Sequence, residues 1–218
     1  MFDVVLGFIL SVLIAYFAYQ RQKLDLYGAV TATILGSVIV ATGGWLFAAM
    51  MIWFFVSSNL VGSLAKQAKP QRTWQQVLAT GGIPMLLSVW YVLEPTDGIL
   101  LIYASALAVA TADTWASEIG RLSPTEPFFV LTGKQVAVGT DGAVSGRGTL
   151  ASLIGAGSMS LFVGGSLIVI VSGFLGALVD SLLGTVQHKT KLLNNTSVNF
   201  LSQLLVTLGW IGWFLGPW

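Results

Sequence analysis

Apolar runs of roughly twenty residues, broken by short polar stretches, fill most of the chain, and a run of about that length is what a membrane-spanning helix requires. The breaks cut the sequence into eight pieces, approximately 2–20, 25–42, 45–64, 76–93, 98–118, 150–171, 173–188 and 198–216. Only Gly43-Gly44 separates the second from the third, and only Ser172-Gly173 the sixth from the seventh, so both pairs read as tight helical hairpins. The seventh piece is the shortest and carries Asp180; without it the count is seven. Phe2 to Tyr19 lacks the charged start and cleavage site of a signal peptide, so it reads as a retained helix.

Composition narrows the class. Of 218 residues, 55% are hydrophobic and 9% charged, against about 25% charged in a soluble domain. The pattern therefore predicts an all-α polytopic membrane protein, residues 1–218 forming one integral-membrane domain. Ten Lys/Arg against nine Asp/Glu give a net charge of +1, too little for a nucleic-acid surface. With no cysteine and one histidine, His188, disulfide, thiol and Fe–S chemistry are excluded and His-rich metal sites are disfavoured.

Charge also orients the spans. With eight crossings, Arg21, Lys23, Lys66, Lys69, Arg72, Arg121, Lys134, Arg147, Lys189 and Lys191 all fall on one side, which the positive-inside rule makes cytoplasmic. Asp3, Glu94 and Asp97 fall on the other side, and both termini lie there with them. Asp25 reads as the N-cap of the second span, while Lys66, Lys69 and Arg72 read as candidates for anchoring to anionic lipid. His188 reads as an interfacial residue. The polar groups Ser57-Ser58-Asn59 and Asn194-Asn195 with Asn199 either line a site or pack helices.

The one long loop, 121–149, lies on the basic side. Phe128 to Leu131 and Gln135 to Val138 flank Thr132-Gly133-Lys134, which predicts a small β-hairpin. Beyond it, residues 139–149 hold four glycines in eleven positions, with hydroxyls and Arg147, and run straight into a helix. Glycines also serve plain turns. Yet free backbone amides leading into a helix N-terminus form an anion site, and Lys134 and Arg147 add cations suited to phosphate.

Three carboxylates lie in the apolar spans: Asp113, Glu118 and Asp180. Each costs about 2.5–3.5 kcal/mol near the centre of a bilayer, even on the lenient insertion scale. Asp113, Ser117 and Gly120 share one helical face, as do Asp180, Gly184 and Gln187. Two such stripes suggest one shared site. Buried ion pairs with neighbouring bases would neutralise the acids. So would a hard divalent cation, which takes one or two carboxylates plus substrate phosphates. A phosphate cradle beside carboxylate-held metal is the constellation of phosphoryl or nucleotidyl transfer.

The run Ala112-Asp113-Thr114-Trp115-Ala116-Ser117-Glu118-Ile119-Gly120 resembles the signature of the integral-membrane phytyl-phosphate kinase family, more distantly related to phytol and dolichol kinases. Lys23-Leu24-Asp25 with Gly28-Ala29, Gln76-Val77-Leu78-Ala79, Gly139-Thr140-Asp141-Gly142 with Ser145, and Asp180-Ser181-Leu182-Leu183-Gly184 with Gln187 extend it in order over residues 23–187. Thr80 stands where Asn is usual in that family, and Ala143 where Gly is common. The resemblance implies CTP-dependent phosphorylation of a prenyl monophosphate such as phytyl phosphate. It further implies Mg²⁺ at Asp113, Glu118 and Asp180, and a catalytic loop at 121–149. Phosphate contacts would come from Arg121, Lys134, Gly139, Thr140, Asp141, Gly142, Ser145 and Arg147, with Ser117, Ser181 and Gln187 supporting. In a photosynthetic bacterium the host would be the plasma or thylakoid membrane, and the product would serve tocopherol synthesis. A cytidylyltransferase that builds a CDP-lipid uses the same parts, and an ion-coupled transporter would also place acids within the membrane.

Overall fold

Asp25 opens the second helix as an N-cap: its Oδ1 accepts from Gly28 N at 2.6 Å. The computed structural model describes residues 2–64 and 70–215; Lys66 and Lys69 lie outside this range. The elements in order are α1 (Phe2–Gln20), α2 (Leu26–Leu64), α3 (Trp74–Leu93), α4 (Asp97–Gly120), β1 (Phe128–Phe129), β2 (Ala143–Val144), α5 (Gly146–Ser160), a 3-10 turn (Leu161–Val163), α6 (Leu167–Thr190) and α7 (Asn195–Leu215). Among the described residues six helices are long and apolar enough to cross a membrane, all except α5. Large apolar side chains such as Phe2, Phe17, Tyr27, Leu93 and Leu161 point outward. Such an outer surface suits lipid and would be costly in water.

One of the two expected glycine breaks lies where it was expected and the other does not. Within the 39 residues of α2 the helix breaks at Gly44, whose φ of 74° and ψ of −167° are non-helical, between the second and third pieces. The sixth and seventh pieces are divided not at Ser172-Gly173 but at Gly164 and Gly165, with φ of 72° and 76°. Gly173 serves packing instead: a Cβ there would stand 2.6 Å from the Ala156 Cβ and 3.0 Å from that of Ala108. Ser172 sits within α6, its hydroxyl accepting from the Trp210 indole at 2.6 Å. The seventh piece thereby becomes a 24-residue helix.

Helix α4 is the hub, packing against α2, α3, α5, α6 and α7. Its small residues Ala108, Ala112, Ala116 and Gly120 recur every fourth position and meet Gly148 and Gly155 of α5 and Gly173 of α6 at close range. Small-residue stripes of this kind let backbones approach where water supplies no driving force. Toward the opposite end the core is larger: Phe47 packs against Tyr91 and Tyr103 at ring-centroid separations of 4.8 and 4.3 Å. The buried Tyr103 hydroxyl donates to Phe47 O at 2.8 Å.

Pro84 lies inside α3 and cannot donate to the carbonyl of Thr80 four residues earlier. Gln203 of α7 fills that gap, its Nε2 donating to Thr80 O at 3.2 Å and to Ala106 O at 2.9 Å. A freed backbone acceptor within a bilayer needs such a partner. The Thr80 hydroxyl turns back to its own helix, donating to Gln76 O and Val77 O.

Candidate functional site

The acidic stripes of α4 and α6 converge. Asp113 and Asp180 face each other with their carboxyl groups at hydrogen-bonding range. Helix α7 holds Asp180 from behind. Ser202 Oγ donates to Asp180 Oδ2 at 3.1 Å. The Asn199 amide, oriented by its partners, donates to the same oxygen at 3.2 Å and to Asn195 O at 3.1 Å. The pair lies in the wall of a cleft of about 850 Å³, counted to its open mouth. Ser117, Arg121, Ser181 and Gln187 share that wall with the Gly139–Ser145 segment.

The glycine-rich segment is tied down over α6. Gly142 has a φ of 77°, and a Cβ there would run into the backbone of Gly184 and Thr185, so both requirements select glycine. Thr185 Oγ1 donates to Gly142 O at 3.3 Å, and Gln187 Nε2 to Asp141 Oδ2 at 3.3 Å. The segment ends in Ser145, which caps α5 by accepting from Gly148 N at 3.2 Å. Gly120 leaves room for that hydroxyl, which would stand 3.2 Å from a Cβ. The α5 N-terminus therefore opens on the same cleft, with Gly148, Thr149 and Ser152 in its wall.

The expected hairpin is rearranged. Phe128–Phe129 pairs antiparallel with Ala143–Val144, while its contact with the 135–138 strand shrinks to one bridge, Phe128 to Gln135. The left-handed turns at Gly139 and Gly142 bring residues 143–144 back to β1. Phe129 is buried there, its ring 5.4 Å from that of His188, which keeps His188 away from the acidic pair.

Three expected site residues stand elsewhere. Glu118 is buried on a different face of α4, five residues past Asp113 and so well over 90° around the helix; a Cβ on Gly62 of α2 would stand 3.7 Å from its carboxyl carbon. Arg147 is exposed, and its Nη1 donates to Leu122 O at 3.0 Å, tying the two ends of the loop together. Lys134 is exposed beside the turn glycine Gly133, outside the cleft wall. Conversely, Ser202 was not anticipated, although Asn195, Asn199 and Ser202 form an i, i+4, i+7 stripe along α7.

Arg72, one of the three candidates for lipid anchoring, is half-buried. Its backbone is clamped by the start of α2: Arg72 N donates to Lys23 O at 3.0 Å and Asp25 N to Arg72 O at 3.1 Å. Gly28 makes this possible, since a Cβ there would stand 2.6 Å from Arg72 O. Gln76 Oε1 accepts from Thr73 N at 3.0 Å and fixes the next residue. Burial lowers the guanidinium pKa, and the Asp113 carboxylate opposes that shift.

Residues 9–207 match the family described as Integral membrane protein DUF92. The chain belongs to this family. It is 31% identical over 200 residues to Uncharacterized membrane protein MJ0933 of Methanocaldococcus jannaschii, covering 85% of this chain and 84% of that protein. Protein PGR of Arabidopsis thaliana is 31% identical over 188 residues, 73% of this chain and 64% of its own. Uncharacterized membrane protein sll0875 of Synechocystis is 29% identical over 220 residues, with 89% and 84% covered. No solved structure matches significantly. The family match takes in both acidic helices, the glycine-rich loop and the Arg72 seat.

The donor chemistry of the cleft suits a hard divalent cation. Asp113 and Asp180 offer carboxylate oxygens at close quarters, an arrangement that two bare anions would resist. Among the described residues no three of His, Cys, Asp and Glu gather to form a complete protein cage. A two-carboxylate set completed by phosphate and water is the pattern usual for Mg²⁺.

Proposed function

We propose that this protein is a CTP-dependent prenyl-phosphate kinase, which moves the terminal phosphoryl group of CTP to a prenyl monophosphate such as phytyl phosphate. The observation that carries this reading is the Asp113–Asp180 pair lying beneath the Gly139–Ser145 segment and the N-terminus of α5. Backbone amides there, with Arg121, would bind the nucleotide phosphates. Asp113 and Asp180 would hold Mg²⁺, which supplies charge neutralisation when bound.

The acceptor needs no general base. A phosphate monoester has a second pKa near ~6 and is already an anionic nucleophile at neutral pH. Its oxygen attacks the γ-phosphorus in line, the bond to the β-bridging oxygen breaks, and CDP leaves with the electron pair. Positioning and electrostatics then account for the rate, which suits a chain with one histidine and no cysteine.

The site would face the cytoplasm, where CTP is found, with both termini on the far side. That topology takes α2 as two crossings separated at Gly44, and α5 with its 3-10 turn as another, eight in all. The basic residues among those described then share one side with the cleft.

The test is detergent-purified protein with CTP, Mg²⁺ and phytyl monophosphate, following nucleotide and lipid products together. CDP with phytyl diphosphate is the expected result. Pyrophosphate with a CDP-lipid would make it a cytidylyltransferase; no turnover with any prenyl phosphate would leave the paired acids to an ion-coupled transporter.

A further inference from the structure

A second cavity, of about 860 Å³ counted to its mouth, opens between α1, α2 and α3, away from the acidic pair. Leu10, Ile14, Leu35, Ile52, Phe55 and Val77 make up much of its wall. Its hydroxyls are turned inward to their own helices: Ser11 donates to Gly7 O at 2.8 Å and Thr80 to Gln76 O at 3.1 Å. Among the described residues Arg72 is the only charged group in the wall.

Arg72 links this cavity to the catalytic cleft, because the same guanidinium interacts electrostatically with Asp113. The chain spends several devices on placing it there: the parallel bridge between Leu24 and Arg72, the Lys23 and Asp25 backbone bonds, and the missing side chain at Gly28. No hydrogen bond among the described residues occupies its N–H fork. A half-buried guanidinium in the wall of an apolar cavity, with no hydrogen-bonded partner among the described residues, matches a ligand with a phosphate head and a hydrocarbon tail.

We infer that this cavity is the acceptor subsite, holding the isoprenoid tail of the lipid phosphate while Arg72 binds its phosphate and presents it to the Asp113–Asp180 cleft. The inference rests on the kinase reading for the identity of the acceptor, but the cavity can be tested without turnover. A cavity between α1, α2 and α3 admits a lipid from the side, whereas the nucleotide enters the cleft from the loop. The two substrates then meet at Arg72 without sharing a path.

The binding experiment uses full-length protein in detergent and a diazirine-bearing farnesyl monophosphate, with the cross-linked peptides mapped by mass spectrometry. Labelling is expected on α1–α3 peptides, competed by phytyl monophosphate and not by CTP or phosphatidic acid. Labels confined to the outer lipid-facing surface would overturn the subsite, and equal competition by phosphatidic acid would make the cavity a seat for structural lipid. This readout survives even if no phosphoryl transfer is found, so the two readings fail separately.

Kinetics supply the second arm. Arg72→Gln keeps the backbone clamp and should raise KM for the lipid phosphate about ten-fold or more, with KM for CTP little changed. A rise in the CTP value alone would place Arg72 in the nucleotide site instead. Ala32→Phe fills the cavity from a half-buried wall position and should shift preference from phytyl toward geranyl phosphate. An unchanged chain-length preference in a folded Ala32→Phe protein would overturn the tail assignment.

Discussion

Gly142 and Gly184 touch backbone to backbone: a Cβ on Gly184 would stand 2.7 Å from the Gly142 Cα and 2.8 Å from its nitrogen. This contact seats the glycine-rich segment one helical turn beyond Asp180, so the distance from loop to acid is set by the absence of two side chains. Gly184→Ala is therefore the smallest change that lifts the loop. Alanine gains about 1 kcal/mol of helix propensity, but its Cβ meets backbone and such overpacking costs about 1–3 kcal/mol, so thermal stability should fall modestly. Turnover should nevertheless drop about a hundred-fold, the scale of a 1 Å misplacement. Steady-state kinetics beside a melting curve separates the two effects; full activity would show that the loop does not act from this position.

Asp113→Asn and Asp180→Asn each remove one carboxylate from the facing pair. Each should cost turnover at least ~10²-fold, as losing a preorganised electrostatic contact does. The protein should still insert, since a neutral amide is cheaper than an acid in an apolar helix. EDTA should abolish wild-type activity and added Mg²⁺ restore it. Glu118→Gln, on the face toward Gly62, should retain more activity than either variant. Equal loss in all three, measured by nucleotide turnover, would return Glu118 to the site.

Much of this was legible in the chain. The apolar runs located the long helices, and the i, i+4, i+7 stripes of α4 and α6 foretold that Asp113 and Asp180 would meet. Spacing did not tell what a glycine was for. Ser172-Gly173 and Gly164-Gly165 look alike as breaks, yet one packs α6 on Ala108 and Ala156 while the other turns the chain. Glu118 looked equivalent to Asp113 because both are acids in one span; five residues of helix carry it to another face. Arg72 was hidden for a different reason. Its seat is built by backbone bonds from residues 23–28, which leave no side-chain pattern near position 72.

Ser202 and Asn199 both donate to Asp180 Oδ2, holding the carboxylate from the α7 side. Ser202→Ala should therefore weaken the hold on Asp180 without removing any group that faces substrate. The expected signature is a several-fold rise in the Mg²⁺ concentration needed for half-maximal activity, in keeping with the roughly ten- to hundred-fold effects of losing partners behind metal ligands. Unchanged Mg²⁺ dependence with reduced stability would make the bond purely structural.

Gln203 replaces the helical hydrogen bond that Pro84 denies to Thr80. Gln203→Leu should lower stability by about 0.6–2 kcal/mol, the range for interhelical and buried bonds. Pro84→Ala restores an N–H beneath Thr80 O, so in that background the same substitution should cost less. A double-mutant cycle read by thermal denaturation in detergent measures the coupling. Strict additivity would show that Gln203 acts through Ala106 alone.

The crossing of α5 is the part of the proposed topology most open to test. The helix is 15 residues, about 22 Å at the helical rise, against a hydrocarbon core of about 30 Å. It gains length from the 3-10 turn Leu161–Val163, and Gly164-Gly165 then reverses the chain. In the proposed topology the same outer end holds the Gly44 break, beside which Asp3 accepts from the Trp45 indole at 3.1 Å. Because the chain has no cysteine, single substitutions report position directly. Glu94→Cys and Leu161→Cys should react with a membrane-impermeant maleimide in intact cells, and Lys134→Cys only after permeabilisation. If Leu161→Cys behaves like Lys134→Cys, α5 does not cross, and the charge argument for the orientation of α6 and α7 falls with it.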